Sequence, residues 1–408
     1  MFGGIGRVLS HRYYTIYWAS NGISTIGRWM YRIAVAWLTW ELTESTVWLG
    51  IIAFAETFPL VIFSIFAGAL ADRMGYIRVT IFAQTATAFA ASLFAVITLT
   101  GLVTIELILL FAVLIGSLES LTTPARMALI HGLVPKRDLA AAIGLQSATF
   151  NGARFIGPAI AGVLIAATGS GVVLTVVAIA FAQFCFALLI IKADEPNPTS
   201  GPWRDILGDM IKGIQYSFRN EGIRFLLVML GATGLLIRPI IELMPAFAAQ
   251  VFNSGSGGFG FLMSAIGLGA MISCLWIGIR GRTNGLTHLV TLSLLAQGAA
   301  LILSTLTGSI WLAAFCLGIV GFAMLIGGVG SQTLIQNAVD EGIRARVMSL
   351  FIVISWGLPA FGALAAGWIA DFAGLPATIA AGGLLTILLW LWARRRAAEL
   401  ETGLEHNT

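Results

Sequence analysis

The sequence predicts an all-α polytopic membrane protein, with twelve transmembrane helices in two pseudo-symmetric six-helix bundles. Three observations carry that prediction. First, 58% of the 408 residues are hydrophobic and 10% are charged, with a mean hydropathy of +0.93. A soluble domain is about 25% charged, and the fraction of surface that folding buries grows too slowly with size to hide this much apolar area. The same composition excludes disorder. Second, the apolar stretches run unbroken for the roughly 20 residues that a helix needs to cross a bilayer, without the every-second-residue alternation of a membrane barrel. Third, Lys and Arg are distributed unevenly around those stretches, as membrane orientation requires.

Taken in order, the spans fall at 13–40, 47–70, 77–100, 103–123, 140–167, 172–191, 223–251, 259–279, 286–307, 310–337, 347–370 and 376–392. Few residues precede the first span and no small-residue cleavage site is visible, so no cleavable leader is expected. Of the 23 Lys and Arg, Arg28, Arg32, Arg154 and Arg238 lie well inside spans rather than at their ends. The others fall at the N-terminus, at the even-numbered loops or after the last span, and the odd-numbered loops carry none. That bias puts both termini in the cytoplasm of a multi-pass protein of the cell inner membrane. The domains expected are a bundle at 1–192, a linker at 193–222, a second bundle at 223–396 and a cytoplasmic tail at 397–408.

In the linker, Trp203, Ile206, Leu207, Met210, Ile211, Ile214 and Phe218 recur at helical spacing, with Asp205, Asp209 and Lys212 elsewhere on the wheel. This reads as an amphipathic helix on the membrane surface, strapping the two halves together. Cys185, Cys274 and Cys316 all lie in apolar stretches and read as small hydrophobes. At an offset of 205, Gly152, Gly157, Gly162 and Gly169 align with Gly357, Gly362, Gly367 and Gly374. Half-repeats of this kind belong to transporters, whose substrate site lies between the halves near the membrane midplane.

The turn after the second span reads Gly68-Ala69-Leu70-Ala71-Asp72-Arg73-Met74-Gly75-Tyr76-Ile77-Arg78. Gly75 suits a tight bend, and Asp72 can accept from a neighbouring helix N-terminus. The fifth span carries Asn151-Gly152-Ala153-Arg154-Phe155-Ile156-Gly157-Pro158-Ala159-Ile160-Ala161-Gly162, where Pro158 kinks the helix and the glycines permit close approach. The first motif resembles the signature loop of the major facilitator superfamily, with Tyr76 and Ile77 where a basic residue is usual and Arg78 following. The second resembles the fifth-span motif of that superfamily's antiporters. With Thr123-Pro124-Ala125-Arg126 and the twelve spans, the resemblance covers essentially the whole chain, nearest to the enterobactin-exporter and macrolide-efflux branch.

The resemblance implies that the loop Gly68, Asp72, Arg73, Gly75 and Arg78 latches the halves in the outward-open state. It implies that the kinked helix at Gly152, Gly157, Pro158 and Gly162 seals the path against leak. Glu119 is expected as the acidic partner of Arg73 or Arg78. Many drug/proton antiporters carry a basic residue within the fourth span; here the span has none and Arg126 is expected past its end. A monomer is the implied state.

Intramembrane charges mark functional sites. At 1.5 Å rise per residue, Arg28, Arg154 and Arg238 fall within roughly 3 Å of the midplane. Arg28 and Arg32 share one helix face, as do Arg238 and Glu242. Arg238 and Glu242 read either as an ion pair or as site residues; Pro239 and Pro245 bracket them and could bend the span. Glu56 reads either as a proton carrier or as the neutralising partner of Arg28 or Arg32. Four arginines against Glu56, Glu119 and Glu242 leave a positive cavity suited to an anionic substrate, since arginine keeps its charge. Proton coupling is expected at Glu56 or Glu242, with Glu242 preferred, and substrate hydrogen bonds or helix packing at Gln332 and Gln336.

No enzyme is expected. The run Gly255-Ser256-Gly257-Gly258-Phe259-Gly260 spells a dinucleotide fingerprint but has no preceding strand, and no phosphate-binding loop ends in Lys-Ser/Thr. Cofactors, resident metals and nucleic-acid partners are likewise not expected. The reading is a proton-coupled secondary exporter of an amphiphilic small molecule, drug-like or siderophore-like, with small-molecule, proton and lipid partners. The alternatives are an importer or a lysophospholipid flippase of the same fold, then a membrane receptor or enzyme.

Overall fold

The computed structural model describes residues 3–193, 206–340 and 342–405, and every regular element among them is helical. The chain divides into two compact units, Met1–Thr43 with Ala55–Trp203, and Glu44–Phe54 with Arg204–Thr408.

Unit 1 contains α1 (Gly3–Ser10), α2 (Arg12–Thr43), most of α3 (Thr46–Met74), α4 (Tyr76–Leu99), α5 (Ile105–Leu129), α6 (Leu139–Thr168) and α7 (Ser170–Ile190). Thr104 caps α5 by accepting from Leu107 N–H at 3.4 Å. Gly75 precedes α4 with φ of 89°, a conformation that strains any residue with a Cβ. Between α5 and α6, two short 3-10 turns present Asp138, whose carboxylate accepts from Arg7 Nε and pairs with His11 Nε2, each at 3.1 Å. The N-terminal helix is thereby tied to the α5–α6 connection.

Unit 2 contains the start of α3, then α8 (Ile206–Arg219), α9 (Glu221–Leu236), α10 (Pro239–Glu242), α11 (Met244–Phe252), α12 (Ser256–Arg280), α13 (Leu286–Leu306), α14 (Ile310–Ala338), α15 (Arg344–Ala373) and α16 (Leu375–Glu405). Trp203 and Asp205, expected on the amphipathic helix, lie outside the described residues. α8 presses one face on α15, with Gly213 against the Arg346 carbonyl and Ser217 fully buried, while Ile211 and Phe218 are exposed. Tyr216 donates to Asp340 Oδ2 at 3.1 Å. Burial, together with that carboxylate, raises the phenol above its ordinary value, so it remains a donor.

Eleven described helical segments are long and apolar enough to cross a membrane. The twelfth crossing is α2, 32 residues long, whose apolarity is diluted by a polar stripe facing its own bundle. The half-repeat is real at the level of helices. α6 and α15 each have 30 residues and occupy positions 205 apart, and Gly169 and Gly374 follow them with φ of 83° and 85°. Gly157 and Gly362 also play one role. A Cβ on Gly157 would stand 2.6 Å from Trp29 Cβ of α2, and one on Gly362 would stand 2.9 Å from Leu235 and Pro239, at the junction of α9 and α10.

Three expectations need correction. The fourth span does not stop at 123; α5 continues through Pro124 to Leu129. A membrane helix tolerates an internal proline when neighbours satisfy the freed backbone. The seventh span is not one helix, because Pro239 and Pro245 cannot donate to the preceding turn, and it breaks into α9, α10 and α11. The last helix does not stop at 392, the expected end of its span; α16 runs unbroken to Glu405. Its end docks, with Leu404 buried against Gly222 and the Glu405 carboxylate accepting from Gly285 N–H (2.5 Å) and Thr287 N–H (2.7 Å) at the start of α13.

Candidate functional site

The richest polar chemistry in unit 1 starts from one stripe of α2. Tyr17, Asn21, Ser24, Arg28 and Tyr31 follow at helical spacing and lie on one face. All but Arg28 are buried. α5 meets this region because it has Gly116, whose missing side chain lets its backbone touch the Glu56 carbonyl of α3. One turn further along α5 stands Glu119, and two turns beyond that Arg126.

Glu119 pairs with Arg28 at 2.6 Å and reaches Arg126 at 4.0 Å. The expected partners, Arg73 and Arg78, are exposed instead. Arg126 was expected beyond its span; it lies in α5 and is buried at 7% exposure. Its guanidinium donates to Gln84 Oε1 and sits 4.9 Å from the Phe184 ring centroid. Gln84 in turn donates to the Phe181 carbonyl at 3.3 Å, and Tyr17 donates to the Arg126 carbonyl at 3.2 Å. A buried arginine needs this many partners because losing its hydration is costly.

A second pair lies beside the first. Arg32 Nε stands 3.7 Å from Glu56 Oε1. Arg32 and Arg154 each lie 5.6 Å from the Trp29 ring, which meets Phe150 edge-on at 6.0 Å. Aromatic faces attract guanidinium groups, most strongly where water is excluded. Several polar atoms here are buried and make no hydrogen bond: both amide atoms of Asn21, Ser24 Oγ, Arg28 Nε, Trp29 Nε1, Tyr31 Oη, Glu119 Oε1 and Arg126 Nε. Six of these eight can donate, so the cluster is rich in unspent donors.

In unit 2, Arg238 sits where α9 ends and α10 begins, donates to the Ser355 carbonyl of α15 and lies 5.5 Å from the Trp356 ring. Arg238 and Glu242 are both half-buried on the interrupted span. Gln332 and Gln336 share an exposed face of α14. Of the helix-kink residues, Gly157, Pro158 and Gly162 are buried, whereas Gly152 faces open space. The surroundings of Gly68 and the side chain of Asp72 are not among those described; Arg73 and Arg78 are exposed, and Gly75 makes the bend.

Sequence reasoning missed Arg126 as a buried residue, and also Gln84, Asn21 and Ser24. The signal for the α2 residues was their i, i+4, i+7 recurrence. For Arg126 there was none, because Thr-Pro reads equally as a helix end.

Twelve spans with a repeated half, a broken span and half-buried arginine–glutamate pairs make the architecture of a secondary membrane transporter rather than an enzyme. The chain belongs to the major facilitator superfamily, in the family described as transmembrane secretion effector (MFS_3), whose model matches residues 7–403. Among similar proteins, a staphyloferrin A transporter of Staphylococcus aureus is 27% identical, over 91% of this chain and 93% of the relative. The multidrug efflux pump Tap of Mycolicibacterium fortuitum is 25% identical, over 91% and 90%. Macrolide efflux protein A of Streptococcus pyogenes is 23% identical, over 93% and 94%. The fold matches the crystal structure of the nucleoside transporter NupG with a TM-score of 0.74 at 12% identity, over 94% of this chain and 98% of that one.

Proposed function

We propose that this chain exports an amphiphilic, anionic small molecule against proton entry, by alternating access. The observation that carries the proposal is the arginine excess in unit 1. Arg28, Arg32, Arg126 and Arg154 are answered in the described cluster by Glu56 and Glu119. Arginine does not give up its proton, so the positive charge persists and favours a carboxylate-bearing ligand. The unspent donors of Asn21, Ser24 and Tyr31 suit its oxygens, and the Trp29 and Phe150 rings suit its apolar part. The efflux and staphyloferrin A names among the relatives support a drug-like or siderophore-like substrate.

Glu56 and Glu242 carry the protons, coupled to the making and breaking of arginine contacts, with Glu242 preferred for its place on the interrupted span. Gln332 and Gln336 add hydrogen bonds to the substrate. The loop of Gly68, Asp72, Arg73, Gly75 and Arg78 serves as the latch, and Gly152, Gly157, Pro158 and Gly162 as the sealing helix. The protein works as a monomer in the inner membrane with both termini in the cytoplasm.

Ligand-induced thermal stabilisation tests this directly, because a ligand that binds the native state must raise its stability. The panel is anionic chelators, cationic drugs, neutral macrolides and lysophospholipids at two pH values. Stabilisation by anionic chelators, lost in Arg28→Ala or Arg238→Ala, supports the proposal. Stabilisation by cations or lysophospholipids alone overturns the anionic substrate. Transport with unchanged pH dependence in the Glu56→Gln/Glu242→Gln double variant overturns the proton assignment.

A further inference from the structure

Unit 2 has a cleft at its end bearing residues 281–285 and Glu405. Trp276, Ile277, Arg280, Arg282, Leu289 and Thr333 line it. It exists because three helices pack unequally. α12 and α14 touch backbone to backbone near their middles, where Gly269 meets the Gly318 carbonyl and Gly321 meets the Ile266 carbonyl. α13 is pressed against α14 further along, where Gly330 meets Val290 and Gly327 lies near Ser293. Trp276 still reaches Phe322, with 6.0 Å between ring centroids. Roughly ten residues past the glycine crossing, about 15 Å at helical rise, the space between the ends of α12 and α13 is the cleft.

We propose that this cleft binds an anionic phospholipid of the leaflet on that side, with its phosphate at Arg280 and Arg282 and its acyl chains along α12. The charge is available. The Arg280 guanidinium donates to the Arg282 and Asn284 carbonyls, which holds it in place and leaves three of its five donors. Arg282 is exposed. Glu405, at the start of α13, spends both oxygens on the Gly285 and Thr287 amides. Basic pockets between membrane helices at this depth suit anionic headgroups.

The apolar part selects a lipid over a soluble anion. Trp276 shares a face of α12 with Ile272 and Ile279, one turn to either side. Ile279 is 86% exposed and Trp276 40% exposed, so this face of a membrane-spanning helix offers open apolar surface to an acyl chain. Tryptophan at that level is the usual interfacial anchor. The cleft thus joins a cationic mouth to a lipid-facing wall, and its proposed ligand is independent of the transported substrate.

The test is native mass spectrometry and thermal unfolding of the purified full chain in detergent. The probes are dioleoylphosphatidylglycerol, dioleoylphosphatidylcholine and sodium phosphate. The expected result is selective retention of phosphatidylglycerol and stabilisation by it alone. Arg282→Gln should weaken retention about fivefold and Arg280→Gln/Arg282→Gln further, since each basic group near an anionic surface contributes about that factor. Trp276→Ala should weaken it too, while Arg395→Gln, basic and exposed on α16, should not. Arg282→Gln alone keeps the test valid where the double variant folds poorly, because the Arg282 side chain is exposed. Equal retention of phosphatidylcholine, equal stabilisation by sodium phosphate, or unchanged retention in Arg282→Gln and Trp276→Ala each overturns the proposal.

Discussion

Replacing Glu405 with alanine should destabilise unit 2 by several times what an exposed change on the same helix would do. The carboxylate accepts from Gly285 N–H at 2.5 Å and from Thr287 N–H at 2.7 Å, and the residue is 6% exposed. Both donors belong to the start of α13, where the first amides of a helix have no partner of their own and the helix dipole favours a negative charge. A hydrogen bond to a charged group contributes about 1.5–3 kcal/mol. Water can replace the acceptor at the partly buried Gly285 amide more easily than at the buried Thr287 amide. The loss should therefore be about 2–4 kcal/mol, less than two full bonds. For a unit of this size that is roughly 4–16 °C in unfolding midpoint. Glu405→Gln should fall between, because its single amide oxygen serves one donor while its NH2 faces the other. Glu399→Ala, exposed on the same helix, should change little. Tryptophan fluorescence during thermal unfolding in detergent reads the midpoint, and hydrogen exchange at 285–289 reads the local loss. A Glu405→Ala midpoint within 1 °C of the parent, with unchanged exchange there, would refute the cap.

Three further predictions concern other contacts. Glu119→Gln leaves Arg28 and Arg126 facing each other without their shared anion and should cost about 3 kcal/mol, and Arg28→Met/Glu119→Leu should recover part of that; thermal unfolding of the three variants measures it. Gly362→Val should cost about 1–3 kcal/mol and abolish transport, because its Cβ would stand 2.9 Å from Leu235 and Pro239; a well-expressed, active variant would show that α15 can move aside. Tyr216→Phe should speed hydrogen exchange in α8 and cost about 0.5–1 kcal/mol. The sign of its pH dependence follows from the raised phenol: the contribution is complete below the ordinary tyrosine value of about 10 and fades only as pH rises through the higher folded value, so the parent and variant should differ by a constant amount between pH 6 and 9.

The membrane class, the crossings and the half-repeat were all readable in the chain, because each is a property of local composition. A bilayer demands about 20 apolar residues per crossing wherever they occur, and a duplicated helix pair keeps its glycines in register, as Gly157 and Gly362 do. The proline break of the seventh span was visible for the same reason: Pro239 and Pro245 cannot donate in any fold.

The partners of the buried charges were not readable. Helical spacing placed Arg28 and Arg32 on one face, but which carboxylate each meets depends on how closely α5 approaches α3. That approach is set by Gly116 against the Glu56 carbonyl. Packing there brought Glu119 to Arg28 rather than to the loop arginines, and drew Arg126 into the bundle with Gln84 and Phe184. It also folded the C-terminal segment back, so that Glu405 completes a helix whose first residue lies 119 positions earlier in the chain. Composition and period are local and survive in one dimension. Charge pairing and capping across such separations depend on distances of a few ångströms, which exist only once the helices have packed.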